Sequence, residues 1–279
     1  MPTSRSRITA ARVRTADRPG RSRPTEDRIF RTSNAVILLD GASQPDTSDL
    51  DGGWYAETLG RVLRHALTAL PTGDLNTLLA DAIEAVAVAN RLVAGNGPSA
   101  TVSIVRWTDQ DIDVLVLGDS PVVAATRTDE IWHITDDRLK QVGRDERRVL
   151  TAANGFAAAN PGRWRELVLA EQAARNKPGG YWIAEASPEA AAHAHHACWA
   201  REQMTAILLM SDGVAAGVNR YGIPPDWTMA LKIAKTDPAQ LVDLVHDTEA
   251  SDPQGERWPR SKQHDDKALA IVEMHYPEA

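Results

Sequence analysis

Four short apolar runs in this chain are bounded by acidic residues, and this repeated arrangement limits the folds that the sequence can adopt. Three runs end at an aspartate and the fourth follows a pair of aspartates, so that the acidic positions are Asp40, Asp119, Asp212 and the pair Asp265-Asp266. Runs of Val, Ile and Leu of this length are typical of buried strands. Gly41 and Gly213 follow two of the acids and allow sharp turns. The sequence therefore predicts buried strands with acidic ends.

These acidic strand ends are candidates for a metal site. If antiparallel strands bring the ends together, several carboxylates converge at one edge of a sheet. Like charges at short distance cannot all stay ionised unless a cation neutralises them. All-oxygen ligation is the preference of Mg²⁺ and Mn²⁺. The pattern therefore indicates an enzyme that uses metal ions held by carboxylates.

Composition and charge narrow the class of protein. The 279 residues are 43% hydrophobic and 25% charged, as is typical of a globular protein, and the net charge of −7 argues against a general nucleic-acid binder. No apolar run reaches the length of about eighteen residues that a membrane span needs, and the N-terminus lacks the apolar core of a secretory signal. The single cysteine, Cys198, excludes an internal disulfide. We therefore expect a cytoplasmic protein with no nucleic-acid or membrane partner.

The N-terminal segment is basic, in contrast to the rest of the chain. Its first thirty-one residues contain nine arginines and only three acidic residues. The segment could be an arm that contacts nucleic acid or membrane, or an opening strand with solvated arginines at alternate positions. The alternation in Arg12-Val13-Arg14 favours the strand, and no aromatic residue is interleaved with the arginines as in a nucleic-acid-binding arm.

The distribution of apolar and turn residues predicts an α+β fold. Beyond one or two strands before residue 32, strands are predicted at 34–40, 100–107, 112–117, 122–125, 131–134, 205–210 and 268–274. Helices are predicted at 52–70, 75–93 and 238–249. Residues 136–200 have a helical and loop-like pattern. Strands in hairpins with helices in pairs indicate a layered fold, and one domain over residues 1–279 is the simplest organisation.

Six short motifs occur in an order that covers most of the chain. They are Arg23-Pro-Thr-Glu26-Asp27, Asp40-Gly41, Gly97-Pro-Ser-Ala-Thr101, Gly118-Asp119-Ser120, Ser211-Asp212-Gly213 and Asp265-Asp266 before the last strand. Each motif is weak alone. In this order and strand context, the set resembles the metal-dependent serine/threonine protein phosphatases of type 2C, the PPM family, in their bacterial form.

The resemblance implies a four-layer αββα fold, in which a central β-sandwich of two antiparallel sheets is flanked by paired helices. Two Mg²⁺ or Mn²⁺ ions would lie at one end of the sandwich. By the resemblance, Asp40 would bridge both ions, the Gly41 carbonyl would bind one of them, and Asp212 and Asp265 would hold the other. Asp40, Asp212 and Asp265 would therefore carry the catalytic metal chemistry.

Further residues receive roles from the same resemblance. Glu26 and Asp27 would act mainly through metal-bound waters. Asp119 would hold a third, weaker ion together with Asp212. Either Arg23 or Arg21 would bind the substrate phosphate, because the spacing to Asp27 leaves both open.

The implied activity is hydrolysis of phosphoserine and phosphothreonine on proteins by a water that bridges two divalent ions. Such ions lower the pKa of a bridging water and clamp the phosphoryl oxygens. Many eukaryotic members have a histidine, proposed as general acid, where this chain has Ala42, so the general acid is open. The alternative function is a metal-binding regulatory module of the same fold with little or no catalysis. Residues 136–200 correspond to the variable flap of the family, near the active site.

A second group of metal-ligand residue types is His193, His195, His196 and Cys198. On a helix that starts near Pro188, His193 and His196 would share a face while the other two residues point elsewhere. A tetrahedral transition-metal site requires four converging ligands. The pattern therefore argues against a metal site here, and its role stays open.

Overall fold

The computed structural model describes residues 11–21, 24–42, 50–152, 161–260 and 262–275. Within these residues the strands are β1 (Ala11–Arg18), β2 (Arg28–Arg31), β3 (Ala35–Gly41), β4 (Ala100–Trp107), β5 (Asp111–Leu117), β6 (Val122–Thr126), β7 (Ile131–Ile134), β8 (His195–Ala200), β9 (Met204–Met210) and β10 (Lys267–Met274). The helices are α1 (Gly52–Ala69), α2 (Leu75–Asn90), α3 (Arg144–Ala152), α4 (Pro161–Ala174), α5 (Asp212–Ala216), α6 (Trp227–Thr236) and α7 (Pro238–Ala250). None of these helices is both long and apolar enough to cross a lipid bilayer.

Two five-stranded antiparallel sheets form the centre of the fold. The first sheet has the order β1-β10-β9-β6-β7 and the second has the order β2-β3-β4-β5-β8. Helices α1 and α2 cover the outer face of the second sheet, and α5, α6 and α7 cover the outer face of the first. A third apolar cluster fills the space between the sheets. The prediction of a four-layer αββα sandwich is therefore confirmed.

Strand β3 shows why the central apolar runs are continuous. Ile37 and Leu39 pack in the cluster beneath α1 and α2, whereas Val36 and Leu38 pack between the two sheets. The strand is thus buried on both faces, which requires apolar residues at every position. Because successive side chains alternate between faces, Asp40 continues the row that lies between the sheets.

Several other aspartates have a local structural role at helix starts. The side chains of Asp51, Asp74 and Asp226 accept hydrogen bonds from backbone N–H groups in the first turns of α1, α2 and α6, each at 2.8 Å. Each bond satisfies a donor that has no partner within its helix. These acids therefore differ from the clustered acids at the strand ends.

The structure differs from the sequence-based prediction in three elements, one of which is the short helix α5, absent from the prediction. Residues 195–200 form β8, an edge strand paired with β5, where the pattern predicts a helix. Three of its six residues are exposed, so the strand has no apolar run that could identify it. Helix α6 is also absent from the prediction, although Asp226 caps it. The helical interpretation of 195–200 is therefore wrong.

The contact between Gly60 of α1 and Phe30 of β2 leads to a first prediction. A Cβ at Gly60 would lie 2.0 Å from the Phe30 ring. In an exposed helix interior, Gly→Ala stabilises by about 1 kcal/mol, but here the clash makes Gly60→Ala destabilising by about 1–3 kcal/mol. The free energy of unfolding in urea measures the effect.

The matched control is Gly162→Ala in α4, where a Cβ meets nothing within 4 Å. This variant is expected to be as stable as the wild type or slightly more stable. If Gly60→Ala stabilised the protein as much as Gly162→Ala does, the packing of α1 on β2 described here would be wrong.

Candidate metal-dependent active site

Strand register brings the acidic ends of both sheets to one end of the sandwich. In the second sheet Asp40 pairs with Thr101, and β2 starts beside the end of β3. In the first sheet the end of β9 lies beside the start of β10, with Met210 opposite Leu269. The connection from β5 to β6 carries Asp119 from one sheet to the other at this same end. All the predicted acidic positions therefore lie on one side of the molecule.

The two sheets make direct contact at this end through Asp40 and Asp212. The backbone N–H of Asp212 donates to Asp40 Oδ2 at 3.4 Å. Asp40 is partly exposed and Asp212 is open to solvent, so the cluster can be reached from outside. A Cβ at Gly41 would lie 2.5 Å from the carbonyl carbon of Gly52. Glycine at position 41 therefore allows α1 to begin directly against the end of β3.

Asp27 is the most buried carboxylate of the cluster. Only 3% of the residue is exposed, and neither carboxylate oxygen has a hydrogen-bond partner. The nearby Ser211 hydroxyl is engaged with the backbone N–H of Ala268 instead, at 3.0 Å. Burial, together with the carboxylates of Asp265 and Asp266, raises the pKa of Asp27 well above its usual range. An ionised Asp27 therefore requires a cation.

The pKa values of the other acidic residues at the strand ends are raised as well. Desolvation and then the carboxylates of Asp27 and Asp212 raise the pKa of Asp40 well above its usual range. Desolvation and Asp212 raise the pKa of Asp119 to about 7. Desolvation and Asp265 raise the pKa of Asp212. Each of these carboxylates is therefore destabilised by burial and by at least one other acid of the cluster.

Lys262 provides a cation within the cluster. Its Nζ lies 2.6 Å from Asp265 Oδ1. Desolvation lowers the pKa of Lys262, but the carboxylates of Asp265, Asp212 and Asp40 outweigh it and raise the pKa to about 12. The sequence analysis missed this residue; its three-residue spacing from Asp265 was the only available signal.

Asp266 has a structural task that the sequence analysis also missed. Its two carboxylate oxygens accept hydrogen bonds from the backbone N–H groups of Gly20 at 2.7 Å and Glu26 at 2.8 Å. The bonds connect the start of β10 to the segment before β2, which carries Glu26 and Asp27. Glu26 is itself buried, with 4% of the residue exposed. Asp266 therefore positions the N-terminal part of the cluster.

The donors at this end fit hard divalent cations such as Mg²⁺ and Mn²⁺. The candidate ligand side chains are all carboxylates, and the buried oxygens of Asp27 lack hydrogen-bond partners. Burial first, and then repulsion between carboxylates, raise the pKa values of Asp27, Asp40, Asp119 and Asp212, and divalent cations would offset both effects. Oxygen donors of this kind are the usual ligands of both ions.

The structure describes only one of the two candidate phosphate-binding arginines. Arg21 is exposed, at the end of the segment that Asp266 holds at Gly20. Arg23 lies outside the described residues. The choice between them stays a prediction.

The histidine group near residue 195 does not converge. The His193 ring stacks on Trp182 with 3.5 Å between centroids. His196 Nε2 lies 2.5 Å from Asn76 Oδ1. These two rings therefore have separate partners, because position 193 ends a short 3₁₀ helix whereas position 196 lies in β8.

His246, Glu249 and His264 form another group whose potential ligand atoms lie within 4.8 Å of one another. Both oxygens of Glu249 are already engaged: Oε1 accepts from the Tyr221 hydroxyl at 3.0 Å, and Oε2 accepts from Lys267 Nζ at 2.6 Å. The buried ammonium of Lys267 would repel a metal ion at this carboxylate. The group therefore reads as a buried ion-pair network.

The bonds of Asp266 lead to a second prediction. Asp266→Ala leaves the N–H groups of Gly20 and Glu26 without acceptors and is expected to cost about 1–3 kcal/mol of stability. Mn²⁺ affinity measured by calorimetry is expected to fall several-fold, because the segment that carries Asp27 loses its anchor. Asp226→Ala removes a helix cap elsewhere; it should lower stability by about 1 kcal/mol and leave Mn²⁺ affinity unchanged. Equal affinities in both variants would contradict the positioning role.

The raised pKa of Asp119 leads to a third prediction, on pH. An aspartate titrates near pH 4 in an unfolded chain, whereas Asp119 titrates at about 7 in the folded protein. The folded state therefore holds the proton more tightly, and metal-free stability is lost as pH rises from about 4 to about 7. In Asp119→Asn the Tm in EDTA should fall less over this range, whereas Asp81→Asn on the exposed face of α2 should behave as the wild type. A fall of equal size in Asp119→Asn would contradict the assignment.

Comparisons with known proteins agree with this geometry. Residues 20–246 match the family described as protein phosphatase 2C. The sequence has no significant match among curated proteins.

Solved structures of bacterial phosphatases share the fold. The Mycobacterium tuberculosis serine/threonine phosphatase PstP/Ppp is 18% identical with a TM-score of 0.58, and the match covers 95% of this chain and 99% of that chain. A structure of the PstP catalytic domain in complex with two manganese ions is 16% identical with a TM-score of 0.59 and the same coverage. The serine/threonine phosphatase Stp1 from Staphylococcus aureus is 13% identical with a TM-score of 0.61, covering 99% and 100% of the two chains.

The predicted resemblance and the predicted enzyme class, a serine/threonine protein phosphatase, are both confirmed by the family match. The matched residues contain Asp27, Asp40, Asp119 and Asp212, and Asp265 joins them in space. Since the match spans most of the sequence, the chain belongs to the protein phosphatase 2C family.

Proposed function

We propose that this protein hydrolyses phosphoserine and phosphothreonine on protein substrates with two Mg²⁺ or Mn²⁺ ions, and with a third, weaker ion at Asp119 and Asp212. The observation that carries the proposal is the convergence of carboxylates around the unpartnered oxygens of Asp27. The PstP catalytic domain was solved with two manganese ions, which supports the same ion count here.

The proposed ligands lie beside buried strands. Asp40 would bridge the two ions and the Gly41 carbonyl would bind one, both at the end of β3, whose apolar residues are fully buried. Asp212 and Asp265 would hold the other ion from the adjoining ends of β9 and β10. Asp212 begins α5 just after β9, and Asp265 lies just before β10, so each ligand is next to a buried strand. Side chains held by packed backbone lose little conformational freedom when they bind a ligand, so the site is preorganised.

Glu26 and Asp27 would act on the ions through water. Both are buried, and the N–H of Glu26 is fixed by Asp266. When bound, a pair of divalent ions supplies an activated water and neutralises the phosphoryl oxygens. The residues of this chain would hold the ions in register and exclude bulk water on the Asp27 side of the site.

Leaving-group protonation and phosphate recognition involve other residues. Ala42 carries no proton donor, so the proton for the seryl or threonyl oxygen would come from a solvent-accessible group or from water. Arg21 or Arg23 would add a bidentate contact to the phosphate, which guanidinium groups favour.

Residues 136–200 would select the substrate. Within them α3 and α4 pack on each other. A cavity near the acidic cluster is lined by Asp119 together with Tyr181 and Trp182 of this segment. We therefore assign α3 and α4 to the substrate-facing part of this segment, while Trp182, Ala184, Ala190 and Ala191 pack in the core with α1 and α2 and residues 195–200 belong to the sheet as β8. The whole chain would form one phosphatase domain, because β1 and β10 from its two ends pair in one sheet.

The proposed function gives a fourth prediction. Purified protein with Mn²⁺ is expected to release phosphate from a phosphothreonine peptide, and EDTA should abolish the release. Asp40→Asn removes the bridging charge and is expected to lower kcat by at least about 10³-fold, a loss of about 4 kcal/mol of transition-state stabilisation. Asp81→Asn, an exposed aspartate of α2, serves as the charge-matched control and should retain wild-type activity.

Activity that persists in EDTA, or in Asp40→Asn, would contradict the mechanism. Mn²⁺ binding without hydrolysis across a panel of phosphopeptides would instead support the alternative of a regulatory module with the same fold.

A further inference from the structure

Lys262 brings a side-chain cation into the carboxylate cluster. Its Nζ lies 2.6 Å from Asp265 Oδ1, and only 20% of the Lys262 side chain is exposed. After Asp265, the carboxylates of Asp212 and Asp40 act most strongly on this ammonium. Lys262 therefore contacts one of the proposed metal ligands directly and interacts electrostatically with two more.

A buried clamp holds the loop that carries Lys262. Arg260 Nη1 donates to Asp252 Oδ2 at 2.8 Å, and its Nη2 donates to the carbonyls of Glu249 and Asp252 at 3.0 and 2.7 Å. Arg260 Nε donates to the carbonyl of Gln263 at 3.0 Å. These hydrogen bonds fix the chain on both sides of Lys262 and hold this residue next to the cluster.

The position of Lys262 conflicts with full metal occupancy. A ligand oxygen lies about 2.0–2.2 Å from Mg²⁺ or a similar ion. An ammonium 2.6 Å from Asp265 Oδ1 and a divalent ion on the same carboxylate would be close neighbours and repel each other strongly. Binding of an ion at Asp265 is therefore favoured when the ammonium moves away.

We propose that Lys262 is an internal competitor for the divalent ion at Asp265. In the metal-free protein its ammonium neutralises part of the cluster and stabilises the fold, and for the same reason it weakens ion binding. Lys262 would thus set the ion concentration at which the phosphatase becomes active. This inference rests on the proposed function, because it assumes that Asp265 is a metal ligand.

Calorimetric titration of the metal-free protein with Mn²⁺ tests the inference. Lys262→Met keeps the length of the side chain but removes its charge, and the affinity for Mn²⁺ is expected to rise about tenfold, the factor that corresponds to about 1.4 kcal/mol. Lys262→Arg keeps the charge and should stay within about threefold of the wild type. Lys232→Met, on the exposed face of α6, makes the same change in net charge away from the cluster and should leave the affinity unchanged.

Thermal unfolding provides a readout that does not depend on activity. In EDTA the Tm of Lys262→Met should be lower than that of the wild type, whereas the rise in Tm on adding Mn²⁺ should be larger. A residue with only a structural role would lower the Tm in both conditions and leave the rise unchanged. Lys262→Gln serves the same test if the methionine variant does not fold.

The outcomes separate this inference from the proposed function. Unchanged or weaker Mn²⁺ affinity in Lys262→Met, in a background where the wild type binds Mn²⁺, overturns the role of Lys262 and leaves the proposed function intact. An equal gain in Mn²⁺ affinity in Lys232→Met assigns the effect to net charge and also overturns the role of Lys262. No Mn²⁺ binding by the wild type overturns the proposed function itself.

Discussion

Electrostatic repulsion among the carboxylates at one end of the sandwich is the constraint to which the surrounding structure is adapted. Burial raises the pKa values of Asp27, Asp40, Asp119 and Asp212, and neighbouring carboxylates raise them further, so the metal-free cluster is a source of instability. The fold tolerates it because the strands behind the cluster are apolar on both faces and fully buried. Local instability supported by a strong core is a common feature of functional sites.

The strands that carry the cluster could be predicted from the sequence because their burial leaves a plain signal. A central strand covered by helices on one face and by a second sheet on the other must be apolar throughout, as in β3, and its end is marked by the first charged residue, Asp40. The sequence alone could not predict that the acidic residues lie close together. Their proximity depends on register, which sequence patterning does not specify across distant strands, and the ordered motifs of a known family supplied that information.

The features that the sequence did not reveal are those that depend on a single partner. Strand β8 lies at a sheet edge and half of its residues are exposed, so it lacks an apolar pattern. The tasks of Asp266 and Lys262 come from one or two contacts with residues far away or in a loop, and such contacts have no periodicity. The histidines near position 195 are the opposite case, in which the sequence suggests a metal site that the structure does not form. The chain changes from 3₁₀ helix to strand between them, and this change separates their side chains.

Two lysines near the start of β10 form ion pairs of opposite character. Lys267 is fully buried and its partner Glu249 also accepts from Tyr221, so removal of the ammonium would leave an uncompensated buried charge. The pair of Lys262 and Asp265 is partly exposed, with 20% and 31% of the side chains accessible, and water can compensate both partners when they separate. Only the second pair can therefore exchange its cation at modest cost. Lys267 and Glu249 therefore form a permanent ion pair, whereas Lys262 and Asp265 form the pair that an ion at the proposed metal site could replace.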